Sequence, residues 1–306
     1  MSILFDDFRS WKQYCQTTGK PLFEPVIEYE ITQKGATESH IREGLLRAYR
    51  VMCEAVETGL TQDMSSRSGM VQNGGKKVYQ SPVTVLSPEF QRLVARTLAA
   101  KEVNACMGRI VAAPTAGASG ILPGILYTLQ ELHQLSDEKI LEAMLVAAGI
   151  ALIIERNASI AGAVGGCQAE TGTAAAMGAG AIVYALGGNA EQVFNAVAIT
   201  IQCMLGLICD PIAGLVEMPC IVRNASAAAI AYAAAQMAIA NFHAVIPVDE
   251  CVSVLGEVGQ SMESRYKETA LGGLAATPTG QAIARQVLIH DIELLPDTDN
   301  SEQSDA

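Results

Sequence analysis

The sequence predicts an all-α protein: a compact bundle of tightly packed helices rich in alanine and glycine, with glycine-rich loops at the candidate active site. Half of the 306 residues are hydrophobic, yet aromatic residues make up only 5% and 27 residues are glycine. Small residues let helices pack closely, whereas a β-sandwich draws on valine, threonine and aromatic residues. The alternation of apolar and polar residues that marks a half-buried strand never persists beyond a few positions.

The predicted helices begin at recognisable caps. Thr37 precedes apolar residues at helical spacing, and Ser87 is followed by Pro88, which suits the first position of a helix. Ser136 precedes a third helix, whose acidic first turn faces the positive end of the helix dipole. The stretch SRSGMVQNGGKK at 66–77 predicts a loop, because paired glycines adopt backbone conformations that other residues resist.

The composition changes between residues 105 and 280, where charges become rare and glycines separate apolar runs. The apolar segments at 143–154, 173–186 and 196–209 are each shorter than the ~20 residues of a membrane span, so we interpret them as buried helices. A small membrane pore is the alternative, which purification without detergent would exclude. We expect one domain at 1–295 and a disordered acidic tail at 296–306.

The charge and the cysteines restrict the class of protein. A net charge of -12 without a basic stripe argues against nucleic-acid binding, which needs clustered lysine and arginine. The acidic residues near the start do not resemble a secretory signal, so we expect a cytoplasmic protein. In that compartment the eight cysteines are expected to be free thiols or ligands rather than disulfides.

The stretch APTAGASGILPG at 113–124 is the first candidate site. It places Thr115, Gly117, Ser119 and Gly120 in a turn that leads into a helix. A loop of small residues before a helix directs several backbone N–H groups at one point, which suits a carboxylate or a phosphate. The alternative interpretation is an ordinary helix start, since the stretch is neither a Walker loop nor a GxGxxG motif.

Three cysteines with unusual neighbours form the second candidate site. Cys167 follows two glycines, whereas Cys209 and Cys220 are flanked by Pro211 and Pro219. Their separations of 42 and 11 residues do not match the short paired spacings of zinc knuckles. Thiolates on separate loops suit an iron–sulfur cluster, although a cysteine taken singly is more often a small buried residue.

Other cofactor chemistries fit less well. A pyridoxal phosphate enzyme needs a lysine in its pocket, and Lys139, between Lys101 and Lys267, falls in the first turn of a predicted surface helix. The four histidines are far apart in sequence, and the GxSxG elbow of a hydrolase is absent from the sequence.

Four stretches together resemble one family. NACMGRIVAAPTAGASGILPG, GGCQAETG, CDPIAGLVEMPC with RNAS, and ETALGGLAATPTG are similar, in this order, to the α chain of the bacterial iron–sulfur L-serine dehydratase. The resemblance runs from about residue 20 to residue 290 and implies a [4Fe-4S] cluster held by Cys167, Cys209 and Cys220. It also implies a separate β chain as partner. Fused relatives end in a cysteine that reaches the cluster, whereas this chain ends in SEQSDA.

The resemblance also implies a reaction, the deamination of L-serine to pyruvate and ammonia. An open iron of the cluster would act as a Lewis acid on the leaving hydroxyl. Glu170, or a group of the β chain, would remove the Cα proton, and the loop from Thr115 to Gly120 would hold the substrate carboxylate. Two alternatives remain: a cysteine desulfidase-like lyase, and a non-catalytic subunit that senses redox state or iron.

Overall fold

The computed structural model describes residues 4–293, and side chains up to residue 289. This part of the chain contains thirteen α-helices and no β-strand, which confirms the predicted fold class. The helices are α1 (Phe8–Thr18), α2 (Glu24–Lys34), α3 (Glu38–Thr61), α4 (Gly74–Gln80), α5 (Pro88–Ala105), α6 (Ile121–His133), α7 (Asp137–Asn157), α8 (Gly162–Gly165), α9 (Thr173–Ala185), α10 (Ala190–Met204), α11 (Cys220–Ile239), α12 (Val248–Ser261) and α13 (Pro278–Glu293). The predicted tail at 296–306 lies outside the described residues, so it and the domain boundary stay predictions.

Helix α9 forms the centre of the bundle. It packs against α6, α7, α10 and α11, and of its thirteen residues only Tyr184 is not buried. Side chains from the neighbouring helices approach its glycines closely. A Cβ at Gly178 would lie 2.4 Å from Ile125 Cδ1, and one at Gly180 would lie 2.3 Å from Ile150 Cδ1. Small residues are therefore required here because the interior is close-packed.

The predicted caps are confirmed. The hydroxyls of Thr37, Ser87 and Ser136 accept hydrogen bonds from backbone N–H groups at the starts of α3, α5 and α7. These bonds satisfy donors that a helix cannot satisfy internally. Because such caps depend on a few adjacent residues, they could be predicted from sequence alone.

Two predicted boundaries were wrong. The loop expected at 66–77 ends at Asn73, and α4 begins at Gly74 because the buried Glu102 carboxylate accepts from the N–H groups of Gly74 and Gly75 at 2.7 and 3.0 Å. The apolar run at 196–209 is not one helix, since α10 spans Ala190–Met204 and the backbone turns at Gly206, where φ is +82°. Among the described residues, no helix is long and apolar enough to cross a membrane.

Candidate active site

The three candidate cysteines come together from different parts of the chain. Cys167 precedes a π-helical turn (Gln168–Gly172) that continues into α9, Cys209 lies in an extended segment, and Cys220 is the first residue of α11. Their exposed fractions are only 1%, 4% and 6%. Burial raises the pKa of Cys209, and the charges of the other two thiols raise it further. We call these three side chains the thiol site.

Cys167 is positioned by a tight glycine turn. Gly166 has a φ of +75°, a conformation that favours glycine, and a Cβ there would lie 2.7 Å from the Met262 side chain. The next residue, Gln168, is fully buried and bonds both Gly206 N–H and Leu255 C=O. The Cys167 thiol lies 2.9 Å from the Thr171 hydroxyl. The two glycines before Cys167 therefore allow neighbouring residues to approach the backbone closely.

Cys209 is fixed by the fourth motif, ETALGGLAATPTG, whose role the sequence left open. Cys209 N–H donates to Tyr266 C=O at 2.8 Å, and Glu268 N–H donates to Cys209 C=O at 2.9 Å, forming an isolated parallel bridge. A Cβ at Gly162 would lie 3.3 Å from Cys209 Sγ and 3.4 Å from a carboxylate oxygen of Glu268. The absence of a side chain at Gly162 thus leaves space beside the thiol.

Cys220 occupies the N-terminus of a twenty-residue helix, α11. Burial raises the pKa of this thiol to about 12, and the nearby Lys101 ammonium acts to lower it. The positive end of the helix dipole also favours a thiolate over a thiol. A cation bound at this position would favour the thiolate further.

Glu170 reaches the same region. Its carboxylate accepts from the Thr115 hydroxyl and lies against the backbone of Gly117, and burial raises its pKa above the ordinary value of 4.5. A Cβ at Gly162 would lie 3.6 Å from Glu170 Oε2, on the same side as Cys209 Sγ. The structure therefore brings the predicted base next to the thiol site.

The loop at 115–120 is held mainly by Asn224 of the RNAS motif. The fully buried Asn224 amide accepts from Gly120 N–H at 3.0 Å and donates to the carbonyls of Gly117 and Cys220 at 2.9 Å. Gly120 N–H and the Gly117 carbonyl are thus engaged within the protein. The Ser119 hydroxyl is fully buried and has no hydrogen-bond partner among the described residues. Substrate contact by Thr115, Gly117, Ser119 and Gly120 stays a prediction.

Sequence reasoning missed Lys101, a fully buried residue of α5. Its ammonium donates to Asn104 Oδ1 and, at 3.4 Å, to Ala116 C=O. Burial lowers the pKa of Lys101 to about 8, although the negative charges of Cys220 and Glu170 oppose this effect. A lysine inside the largely apolar helical stretch LVARTLAAKEV was the signal available, because a lysine is almost never fully buried unless it is paired.

The donor set of the thiol site consists of three cysteines, whose thiolates are the usual ligands of iron–sulfur clusters. Among the described residues, no group of three histidine, cysteine, aspartate or glutamate side chains lies close enough to hold one metal ion. The sulfur ligands of one ion fall within about 4.6 Å of each other, since a metal–sulfur bond is about 2.3 Å. The thiolates of a four-iron cluster bind different irons and stand farther apart. The thiol site offers three buried thiols whose charges interact, with Lys101 beside them and no side chain at Gly162, and these are ligands of the type that such a cluster uses.

The fold and this site define a class: an all-α protein built around a central small-residue helix, with three converging thiols and a buried carboxylate at one end of that helix. The model of the serine dehydratase alpha chain family matches residues 17–275. The chain belongs to this family, as the motifs predicted.

Individual relatives agree with the family match. The L-serine dehydratase alpha chain of Peptoniphilus asaccharolyticus is 42% identical over 277 residues, covering 90% of this chain and 95% of the relative. The probable L-serine dehydratase alpha chain of Bacillus subtilis is 41% identical, with 92% and 95% covered. The L-serine dehydratase of Streptomyces coelicolor is 42% identical over 78% of this chain, but the match covers 54% of that longer relative.

Proposed function

We propose that this chain is the α subunit of an L-serine ammonia-lyase that converts L-serine to pyruvate and ammonia with a separate β chain. In this proposal residues 1–295 form the catalytic domain, and Cys167, Cys209 and Cys220 bind a [4Fe-4S] cluster. The observation that carries the proposal is the convergence of three buried thiols, from three separate segments, beside the Glu170 carboxylate.

The difficult parts of the reaction are a poor leaving group, hydroxide, and a weakly acidic Cα proton. When bound, the cluster supplies an iron without a cysteine ligand, which can act as a Lewis acid toward the hydroxyl. The protein must supply the base and must orient the substrate. A site without water strengthens the contacts of the base and of the groups that orient the substrate, because charges act more strongly where water is excluded.

Glu170 is the proposed base. Burial raises its pKa, which makes its carboxylate a stronger proton acceptor than an exposed glutamate. The Thr115 hydroxyl bonds the carboxylate and the Gly117 backbone packs against it, so the position of the carboxylate is set before the substrate arrives. A base from the β chain is the alternative, and the Glu170 variant in the Discussion distinguishes the two.

The substrate carboxylate is proposed to bind at the loop formed by Thr115, Gly117, Ser119 and Gly120. The buried Ser119 hydroxyl supports this, because a polar group without a partner in a folded interior calls for a ligand or a water. The Lys101 ammonium below the loop, bonded to Ala116 C=O, adds a positive charge that favours an anion there. A cytoplasmic location is part of the proposal, since such thiols must stay reduced.

The test uses protein purified and held without oxygen. Iron and acid-labile sulfide near four each per chain, together with pyruvate formation from L-serine after the β chain is added, are the expected results. Parallel assays with L-serine and L-cysteine distinguish an L-serine ammonia-lyase from a cysteine desulfidase-like lyase. A cluster without any turnover in the α/β complex would favour a sensing subunit, and the absence of iron and sulfide after reconstitution would refute the ligand assignment.

A further inference from the structure

Arg223, in the first turn of α11, connects the segments of Cys220 and Cys209 in the thiol site. It lies three residues after Cys220, and its Nη1 forms an ion pair with Asp210 Oδ1 at 2.6 Å, a charge contact without the alignment of a hydrogen bond. The same nitrogen donates to Ile208 C=O at 2.9 Å, so Arg223 binds the residues on both sides of Cys209. Burial raises the pKa of the Cys167 thiol, and the nearby guanidinium of Arg223 acts to lower it, so the arginine lies close to the third thiol as well. One side chain therefore ties α11 to the segment of Cys209 and stands beside Cys167.

Asp210 extends this link to a fourth segment. Its second oxygen, Oδ2, accepts from Leu274 N–H at 2.7 Å. Gly273 lies against the carboxylate with a φ of +59°, and a Cβ there would lie 2.3 Å from Oδ2. This close approach explains the second glycine of the ETALGG stretch. The Asp210 side chain is 2% exposed and that of Arg223 is 16% exposed, so the pair is largely shielded from water.

The segment between Cys209 and Cys220 has little structure of its own. Its regular part is one 3-10 turn, Ile212–Gly214, in which Ala213 has a left-handed backbone. Such a segment keeps its position mainly through contacts with its neighbours. The bridge at Cys209 and the Arg223–Asp210 pair are contacts of this kind. Loss of one partner would leave a buried charge uncompensated, which is strongly unfavourable.

We propose that the Arg223–Asp210 ion pair is a positioning pair that holds the three thiols at the separation a cluster needs. The inference rests on the proposed function where it refers to the cluster. The contacts themselves exist in the metal-free chain, so the positioning role can be tested without iron. Neither residue is assigned a part in proton transfer or substrate binding.

The experiment measures the rate at which iodoacetamide alkylates each cysteine of the metal-free protein, read by peptide mass spectrometry. In R223M we expect alkylation of Cys167, Cys209 and Cys220 to accelerate at least about tenfold, because the ligand segments open locally. Alkylation of Cys15, a buried residue of α1, should keep the parent rate. R223K should restore part of the protection, since lysine keeps the charge but lacks the planar fork of arginine.

Arg156 provides a matched control. Its Nη1 also contacts a carboxylate, Asp6 Oδ1 at 3.2 Å, and a backbone carbonyl, Phe5 C=O at 3.0 Å, but it belongs to α7. R156M should leave alkylation of the thiol site unchanged. Parent rates at all three site cysteines in R223M would overturn the proposal.

A second variant, D210N, is used if R223M destabilises the whole chain, so that Cys15 also reacts faster. D210N keeps the size of the side chain and an acceptor for Leu274 N–H while it removes the charge. Selective acceleration at the thiol site in D210N supports the positioning role, whereas uniform acceleration or none overturns it. Iron and sulfide uptake by the parent chain tests the proposed function separately, and its failure would leave the alkylation result valid.

Discussion

Gly117→Ala offers a sharp test of the Glu170 assignment, because the added methyl group would meet one defined neighbour. The new Cβ would lie 2.4, 2.5 and 2.6 Å from Oε1, Oε2 and Cδ of Glu170. Ordinary contact begins at 3.4 Å, so the carboxylate must retreat by about 1 Å. The backbone of Gly117 is not left-handed, and the effect of alanine is therefore steric.

A displacement of about 1 Å in a catalytic group costs about 10²-fold in rate, which corresponds to about 2.7 kcal/mol of transition-state stabilisation. We expect kcat for pyruvate formation by the α/β complex to fall by that factor. The fall in kcat reports on the base, which acts in the chemical step, whereas any rise in KM reports on the substrate-binding loop to which Gly117 also belongs. Iron and sulfide content should equal that of the parent, since the change lies at the carboxylate rather than at a thiol.

Gly44→Ala is the matched control. Gly44 lies inside α3, and a Cβ there would meet only Arg47 Nη2, at the ordinary distance of 3.8 Å. Alanine should stabilise this helix by about 0.5–1 kcal/mol and leave kcat unchanged. Parent-like kcat in Gly117→Ala, with the variant folded and fully loaded with iron, would refute the assignment of Glu170 as the base.

Three further predictions concern the thiols and the buried charges. Serine at any one of the three thiol-site positions should abolish iron content and activity together. The control Cys203→Ser, at an exposed position, should change neither. Activity in one of the thiol-site variants would exclude the replaced cysteine as an essential ligand. Since burial raises the pKa of Glu170, kcat/KM should increase with pH along an acid limb centred above 4.5. Glu170→Gln should lower kcat at least about 10²-fold and remove that limb, while a base from the β chain would leave it in place. For Lys101, burial lowers the pKa from 10.5 to about 8, so its charge destabilises the folded, metal-free chain below pH 8, and this penalty fades as pH rises from 8 to 10.5. Lys101→Met should therefore stabilise that chain by about 3 kcal/mol at pH 7 and hardly at all near pH 10.5, as measured by chemical denaturation. An equal gain in stability at both pH values would show that the pKa of Lys101 is not lowered in the folded chain.

Local sequence signals were sufficient for most of the fold. The caps at Thr37, Ser87 and Ser136 depend on bonds within one helical turn, and all three are present. The start of α4 was missed because its cap is a long-range contact: the carboxylate of Glu102 lies 28 residues from Gly74 in the chain. A cap supplied by another helix leaves no trace in the neighbouring residues.

The sequence by itself determined the fold class, through its alanine and glycine content, and indicated the family, through four motifs in one order. It also identified the residues that converge on the site, namely Cys167, Cys209, Cys220 and Glu170. The contacts that hold these four residues together are seen only in the tertiary structure. The burial of Lys101, the Arg223–Asp210 pair and the bridge at Cys209 join residues from distant segments. Such contacts arise from packing between helices, which periodicity and spacing along one segment do not encode.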